Sequence, residues 1–320
     1  MAKSNTEFKA IILAGGSGER FWPLSTPERP KQFLRIFGDV SLLRQSYLRL
    51  APLVKPENIF VVTDKSLVAA SRKELPELPK ANVIGEPMRR DTAAAVALGV
   101  AKAGEGILGF FPADHLIKNE RAFRSSLKKA IAIARKTPRI VTLGITPNYP
   151  TPSYGYINPK TGRFVEKPDS DTAEKYIGEG YLWNAGMFIA SYSTFRSAFI
   201  SLAADLVDLK PRAEIYEKLE KKSFDYRVME KLEKVEVVEC DCDWDDVGSY
   251  AAFFSHFKKG DDDNVVVGDV RRKETENSIL IGDGRRVSVL GVKDMVVVAT
   301  DSEVLVMPLA EVFNLKKLFN

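Results

Sequence analysis

The apolar run Lys9-Ala10-Ile11-Ile12 leads into Leu13-Ala14-Gly15-Gly16-Ser17-Gly18-Glu19-Arg20-Phe21-Trp22-Pro23-Leu24-Ser25, with Arg29-Pro30-Lys31-Gln32-Phe33 close behind. A strand ends at the first glycine and a loop begins there. Three glycines in four residues leave no Cβ to block an approaching anion. They also permit positive φ, so successive backbone N–H groups can converge into a phosphate-binding concavity. Arg20 and Lys31 add fixed positive charge. Two cations beside a nest of amides suit a triphosphate.

Two other phosphate loops are excluded by the residues themselves. A P-loop needs Gly-x-x-x-x-Gly-Lys followed by Ser or Thr, and no such pair closes this loop. A dinucleotide fingerprint opens directly into a helix, whereas Trp22-Pro23, Pro27 and Pro30 forbid helix where it would have to begin. A plain glycine-rich turn with surface charges leaves the combination of Arg20, Lys31 and the preceding strand unexplained.

The chain has 320 residues, of which 45% are hydrophobic, enough for a sizeable core in one large domain with an appendage or in two domains. Its net charge is only +4, with no basic block and no aromatic-interleaved patch, so no nucleic-acid partner is expected. No apolar run approaches the ~20 residues of a membrane span, and no hydrophobic leader follows Met1. No membrane partner is expected, and the expected location is cytoplasmic. Cys240 and Cys242 lack further ligands for zinc and read as buried apolar thiols.

From residue 41 onward, helical and strand patterns alternate. Helices are expected over 41–50, 67–75, 92–103 (capped by Asp91 or Thr92) and 120–135, and strands over 59–63, 82–85, 107–111 and 140–143. Short continuous apolar strands between helices argue for an α/β fold: a Rossmann-like mixed, mainly parallel sheet covered by helices. Ligands of such sheets sit beyond the carboxyl ends of the strands, where the glycine-rich loop falls. After an irregular stretch over 147–159 come a short strand at 163–168, a helix at 173–178, a strand at 183–189, helices over 195–209, 213–221 and 224–232, a strand at 235–238 and a helix over 249–257. A polar hinge at 258–263 separates a catalytic domain, 1–258, from a small β-rich domain, 264–320. The latter shows strands at 265–267, 278–281, 287–290, 295–298 and 304–307, and a β-helix-like form is open to it. At about 55 residues it needs the main domain or a second subunit to pack against.

Several later segments carry chemistry. Asp114, in Phe110-Phe111-Pro112-Ala113-Asp114-His115, follows a central strand, and Asp245-Asp246 precede a helix. Each could be a cap. Together they offer oxygen ligands from distant parts of the chain, as Mg²⁺ bound with substrate phosphates requires. Lys167 ends the strand Phe164-Val165-Glu166. The amide of Asn184 can both donate to and accept from a hydroxyl-bearing ring, and Gly186 removes a side chain and so leaves room for a ligand to approach. Glu86, in Gly85-Glu86-Pro87, sets a carboxylate at a strand end.

These motifs, spanning roughly residues 8 to 257, resemble the signature of the sugar-nucleotide nucleotidyltransferases, in the form Gly18-Glu19-Arg20-Phe21-Trp22-Pro23-Leu24-Ser25 that looks like the mannose-1-phosphate guanylyltransferases. The resemblance implies transfer of GMP from GTP to mannose 1-phosphate with Mg²⁺ as cofactor. It implies Asp114 and Asp246 as metal ligands, with Arg20, Lys31 and Lys167 as the other catalytic residues. Leu13, Ala14, Gly15, Gly16, Ser17, Gly18, Glu19, Glu86 and Pro87 would bind nucleotide. Gly155, Glu166, Lys167, Asn184 and Gly186 would bind the sugar phosphate. One departure stands out: relatives usually carry Gly-Arg-Asn-Thr-Ala where this chain has Arg89-Arg90-Asp91-Thr92-Ala93, which removes a donor and adds charge near the base. A homodimer is expected. The alternatives are another sugar-1-phosphate nucleotidyltransferase, such as one joining glucose 1-phosphate with UTP or dTTP, and a non-catalytic regulatory homologue.

Overall fold

The structure is a computed structural model that describes residues 7–16, 18–257 and 262–319. Ser17 and residues 258–261 of the expected hinge lie outside the described residues. The chain is α/β with a C-terminal β domain, as expected. Grouped by proximity, its described residues form two compact units, one from 7–15, 44–113 and 117–244, the other from 16, 18–43, 114–116, 245–257 and 262–319. Loop 16–43 and the helix after Asp246 thus group with the C-terminal strands, not with the sheet.

The strands of the first unit are β1 (Phe8–Ala14), β2 (Ile59–Asp64), β3 (Val83–Glu86) and β4 (Ile107–Pro112), then, past the two-residue strand β5 (Leu116–Ile117), β6 (Val141–Ile145), β7 (Tyr156–Ile157), β8 (Phe164–Val165), β9 (Leu182–Ser191) and β10 (Glu236–Glu239). They form one sheet in the order β10-β6-β9-β4-β1-β2-β3, with β7 and β8 attached beside β9. All neighbours along this order run parallel except β9, which is antiparallel to both β4 and β6. The helices are α1 (Leu42–Leu50), α2 (Val68–Glu74), α3 (Asp91–Ala103), α4 (Glu120–Ala134), α5 (Ser170–Gly178), α6 (Tyr192–Leu202), α7 (Ala213–Tyr216) and α8 (Phe224–Arg227). The small residues of α3 let it sit close on the sheet, with Ala94, Val96 and Leu98 in one core with Ile11, Val62 and Phe110. Each large apolar side chain so buried contributes about 1.5–3 kcal/mol. Cys240 and Cys242 are buried and free, as read from the sequence.

Local chemistry corrects several boundaries. α3 has Arg90 at its N-cap with no side-chain cap bond. Thr92 Oγ1 instead accepts from the Phe224 backbone N–H at 2.8 Å. The long helix expected over 195–209 starts earlier, because the Ser191 hydroxyl accepts from Thr194 N–H. It ends at Leu202, before Asp208 with its left-handed φ of 51°. The helices over 213–221 and 224–232 shrink to four residues each, α7 and α8.

The second unit contains α9 (Ala251–His256), which follows the two-residue strand β11 (Trp244–Asp245), and a four-stranded sheet of β12 (Val265–Lys273), β13 (Ile279–Leu290), β14 (Met295–Ala299) and β15 (Val304–Pro308). β12, β13 and β14 run parallel, and β15 is antiparallel to β14. The two strands expected at 278–281 and 287–290 are one continuous strand, β13. A single core explains the grouping of this unit: Phe21, Leu34, Val247 and Phe253 share it with Ile279, Val296 and Leu305. Among the described residues no helix is long and apolar enough to cross a membrane.

Candidate active site

Within the second unit the glycine-rich loop closes onto the segment that carries Lys31. Gly18 has φ 68°, and a Cβ there would lie 2.6 Å from the Lys31 backbone nitrogen, so only glycine fits. Gly15 and Gly16 do not take the left-handed conformation. The Ser25 hydroxyl donates to the Gly18 carbonyl at 2.5 Å, and the Tyr250 hydroxyl donates to the Phe21 and Trp22 carbonyls. Lys31 is 7% exposed. Its ammonium donates to Asp114 Oδ2 at 2.9 Å and to the Asp246 carbonyl at 2.5 Å. Burial works to raise the Asp114 carboxyl, but Lys31 and His115 outweigh it and hold the group below the usual carboxylate range.

A cavity of about 220 Å³ is lined by Gly18, Arg20, Lys31, Asp114, Asp246 and Lys316, among others. A Cβ on Gly248 would lie 3.3 Å from both Asp246 carboxylate oxygens and 3.6 Å from Arg20 Nη1, so these charges converge on one spot. Glu19 forms an ion pair with Lys316 at 3.3 Å. Mg²⁺ prefers hard oxygen ligands and keeps positions open for phosphate oxygens. Asp114 and Asp246 place such donors on one cavity wall. Among the described residues no group of three or more His, Cys, Asp or Glu forms an all-protein cage. Two carboxylates on one cavity wall fit the oxygen donors that such a cation takes.

A second cluster lies in the first unit. Lys167, at φ 45°, sets its Nζ 3.1 Å from Glu166 Oε1 and 5.9 Å from the centre of the Tyr226 ring. A Cβ on Gly155 would lie 2.6 Å from Glu166 Oε2, so this glycine makes room for the carboxylate. The Asn184 Oδ1 already accepts from Thr142 Oγ1 at 3.0 Å and from Gly186 N–H at 3.1 Å, while Nδ2 donates to Asp225 Oδ1 at 2.8 Å. Both acceptor positions of this amide are thus occupied inside the protein, and one N–H remains. Burial pushes the Glu166 carboxyl up against the opposing pull of Lys167. Burial, reinforced by Glu166, raises Asp225 to about 7. For Lys167, burial disfavours the charge, but Glu166 outweighs it and the ammonium is raised.

Glu86, at the end of β3 and followed by Pro87, is also in the first unit and is 5% exposed. The Tyr216 hydroxyl donates to its Oε1 at 3.3 Å. Burial raises Glu86 to about 8, with Asp64 and Asp91 adding to the effect and Tyr216 opposing it. The Arg90 guanidinium donates to the Tyr216 and Glu217 carbonyls, at 2.5 and 3.0 Å. Leu13 and Ala14 end β1 with their carbonyls taken by Ala113 N–H and the Thr63 hydroxyl.

Residues 9–262 match the nucleotidyl transferase family, and residues 268–319 match the mannose-phosphate isomerase/GMP-like β-helix domain. The chain belongs to the nucleotidyltransferase family. Within this family it groups with the mannose-1-phosphate guanylyltransferases. It is 34% identical to the Klebsiella pneumoniae mannose-1-phosphate guanylyltransferase, over 93% of this chain and 70% of that one. It is 35% identical to the xanthan biosynthesis protein XanB of Xanthomonas campestris, over 92% and 69% respectively. A solved structure from Thermus thermophilus, described as a mannose-1-phosphate geranyltransferase, matches with a TM-score of 0.89 at 35% identity over 98% of each chain.

For this nucleotidyltransferase, the geometry gathers Arg20, Lys31, Asp114 and Asp246 on one cavity and Gly155, Glu166, Lys167, Asn184 and Gly186 in another cluster. Asp225, Tyr216 and Lys316 went unread in the sequence. Asp225 and Tyr216 sit in segments that scan as ordinary amphipathic helix, and Lys316 is one of two adjacent lysines near the C-terminus. No local signal separates them from surface charge.

Proposed function

We propose that this enzyme transfers GMP from GTP to the phosphate of mannose 1-phosphate, releasing pyrophosphate and GDP-mannose. The gathering of Arg20, Lys31, Asp114 and Asp246 on one cavity carries the reading, because two polyanions can be aligned only where their charge is neutralised. The attacking group is an oxygen of the sugar phosphate, already anionic, so no general base is required. It forms a bond to the α-phosphorus of GTP as the bond to the bridging pyrophosphate oxygen breaks. Arg20 and the amides of the loop hold the departing pyrophosphate, and Lys31 reaches the α-phosphate. Lys167 orients the attacking phosphate, while Glu166 and the remaining N–H of Asn184 meet sugar hydroxyls. Held by Asp114 and Asp246, Mg²⁺ would supply charge neutralisation at the phosphates. Glu86, with Pro87, receives the guanine edge.

The same reading includes a homodimer in the cytoplasm, which light scattering and fractionation test directly. Pyrophosphate release measured over a matrix of four nucleotides and several sugar 1-phosphates tests the reaction. Turnover greatest with GTP and mannose 1-phosphate is expected. Preference for UTP or dTTP with glucose 1-phosphate would replace the substrates, and GDP-mannose binding without turnover would replace the reaction.

A further inference from the structure

Asp245 and Asp246 are adjacent carboxylates with different surroundings. Both oxygens of Asp245 are spent within the fold. Oδ1 accepts from the Val247 N–H at 2.5 Å, a turn that spans Asp246. Oδ2 lies 2.9 Å from His256 Nε2, at the last residue of α9. Among the described residues Nδ1 has no hydrogen-bond partner, and Nε2 meets Asp245 Oδ2 at close range but off the ideal hydrogen-bond line. The ring also packs edge-on against Phe37, with centroids 5.8 Å apart.

Val247 is fully buried and has φ 50°, a conformation that a β-branched residue rarely adopts. Something must hold it there. The Val247 N–H is bonded to Asp245, and the Asp246 carbonyl is bonded to Lys31 Nζ. The peptide group that follows the Asp246 Cα is thereby held at both its carbonyl and its N–H. Its carboxylate is left facing Gly248 and Arg20 on the cavity wall.

We propose that Asp245, braced by His256, is a positioning residue that fixes the 245–248 turn and so presents the Asp246 carboxylate to the cation. The proposal rests on the reading of Asp246 as a metal carboxylate. Partners that orient a metal ligand typically govern metal affinity by 10- to 100-fold.

The test is Mn²⁺ binding to the free enzyme, followed by electron paramagnetic resonance, with steady-state constants measured in parallel. His256→Phe keeps the ring volume against Phe37 and removes the nitrogen contact. Asp245→Ala removes both ties. Each is expected to weaken Mn²⁺ binding by roughly 10-fold or more, with the KM for mannose 1-phosphate changed by less than about twofold. His256→Gln, which retains an N–H donor, should recover part of the loss. Mn²⁺ affinity within about twofold of wild type in His256→Phe overturns the brace, and that variant decides alone if Asp245→Ala does not fold. Equal rises in the Mn²⁺ dissociation constant and in the KM for mannose 1-phosphate overturn it too, since they mark general distortion. Wild-type Mn²⁺ affinity in Asp246→Asn removes the metal assignment, and the brace falls with it.

Discussion

Asn184 donates its side-chain N–H to Asp225 Oδ1 at 2.8 Å, joining β9 to α8. Its carbonyl simultaneously holds the Thr142 hydroxyl and the Gly186 N–H. Removing the amide takes one hydrogen-bond partner from each of three polar groups, one of them a carboxyl. Asn184→Ala is therefore expected to lower stability by about 2 kcal/mol or more in urea unfolding. A change below about 0.5 kcal/mol would mean that water replaces the amide and that the knot is unimportant.

Lys167 should govern the sugar phosphate and not the nucleotide. Lys167→Ala removes an ammonium whose nearest partner is Glu166, 3.1 Å away. The KM for mannose 1-phosphate should rise at least about tenfold, the loss of one charge-assisted contact, while that for GTP stays nearly constant. Equal rises in both constants sink the assignment.

Asp114→Asn breaks the pair with Lys31 and removes an anionic oxygen from the cavity wall. Turnover should fall by about 10²-fold or more, comparable with losing one strong electrostatic contact at a transition state. Titration with Mg²⁺ should show a higher requirement. An unchanged metal dependence contradicts the ligand role.

Glu86 makes stability depend on pH in a definite direction. Its folded-state value of about 8 lies above the ordinary 4.5, so the folded protein binds more protons than the unfolded chain between those limits. Stability from this group is greatest below about pH 4.5 and falls as pH rises towards about 8. Glu86→Gln removes that term. Compared with wild type, the variant should gain Tm at pH 8 relative to pH 5, with part of the slope remaining from Asp225 and Glu166, which are also raised. A pH dependence of Tm identical to wild type would show that Glu86 ionises normally.

Much of this protein was legible because its signals are local. The run before Gly15 is apolar at every position from Ala10 to Leu13, and β4 is buried along nearly its whole length, which only a covered parallel sheet allows. The boundaries that failed depend on competition: Thr92 serves Phe224 instead of its own helix, and the segment after Leu202 trades helix for packing.

The amino-acid sequence by itself determined the order of most strands and helices, through periodicity and glycine placement. Glycine placement and charge also singled out Gly18, Arg20 and Lys31 as a candidate phosphate loop, while the choice of Asp114 and Asp246 came from the resemblance to the family. Tertiary structure alone decided that Lys31 reaches both Asp114 and the Asp246 carbonyl, and that Asn184 spends its acceptor on Thr142 and Gly186. It likewise decided that loop 16–43 shares a core with β13 and β14. The physical reason is distance along the chain: hydrogen bonds and apolar contacts between residues tens to hundreds of positions apart leave no trace in local periodicity. They exist only once folding has brought the partners within a few ångströms.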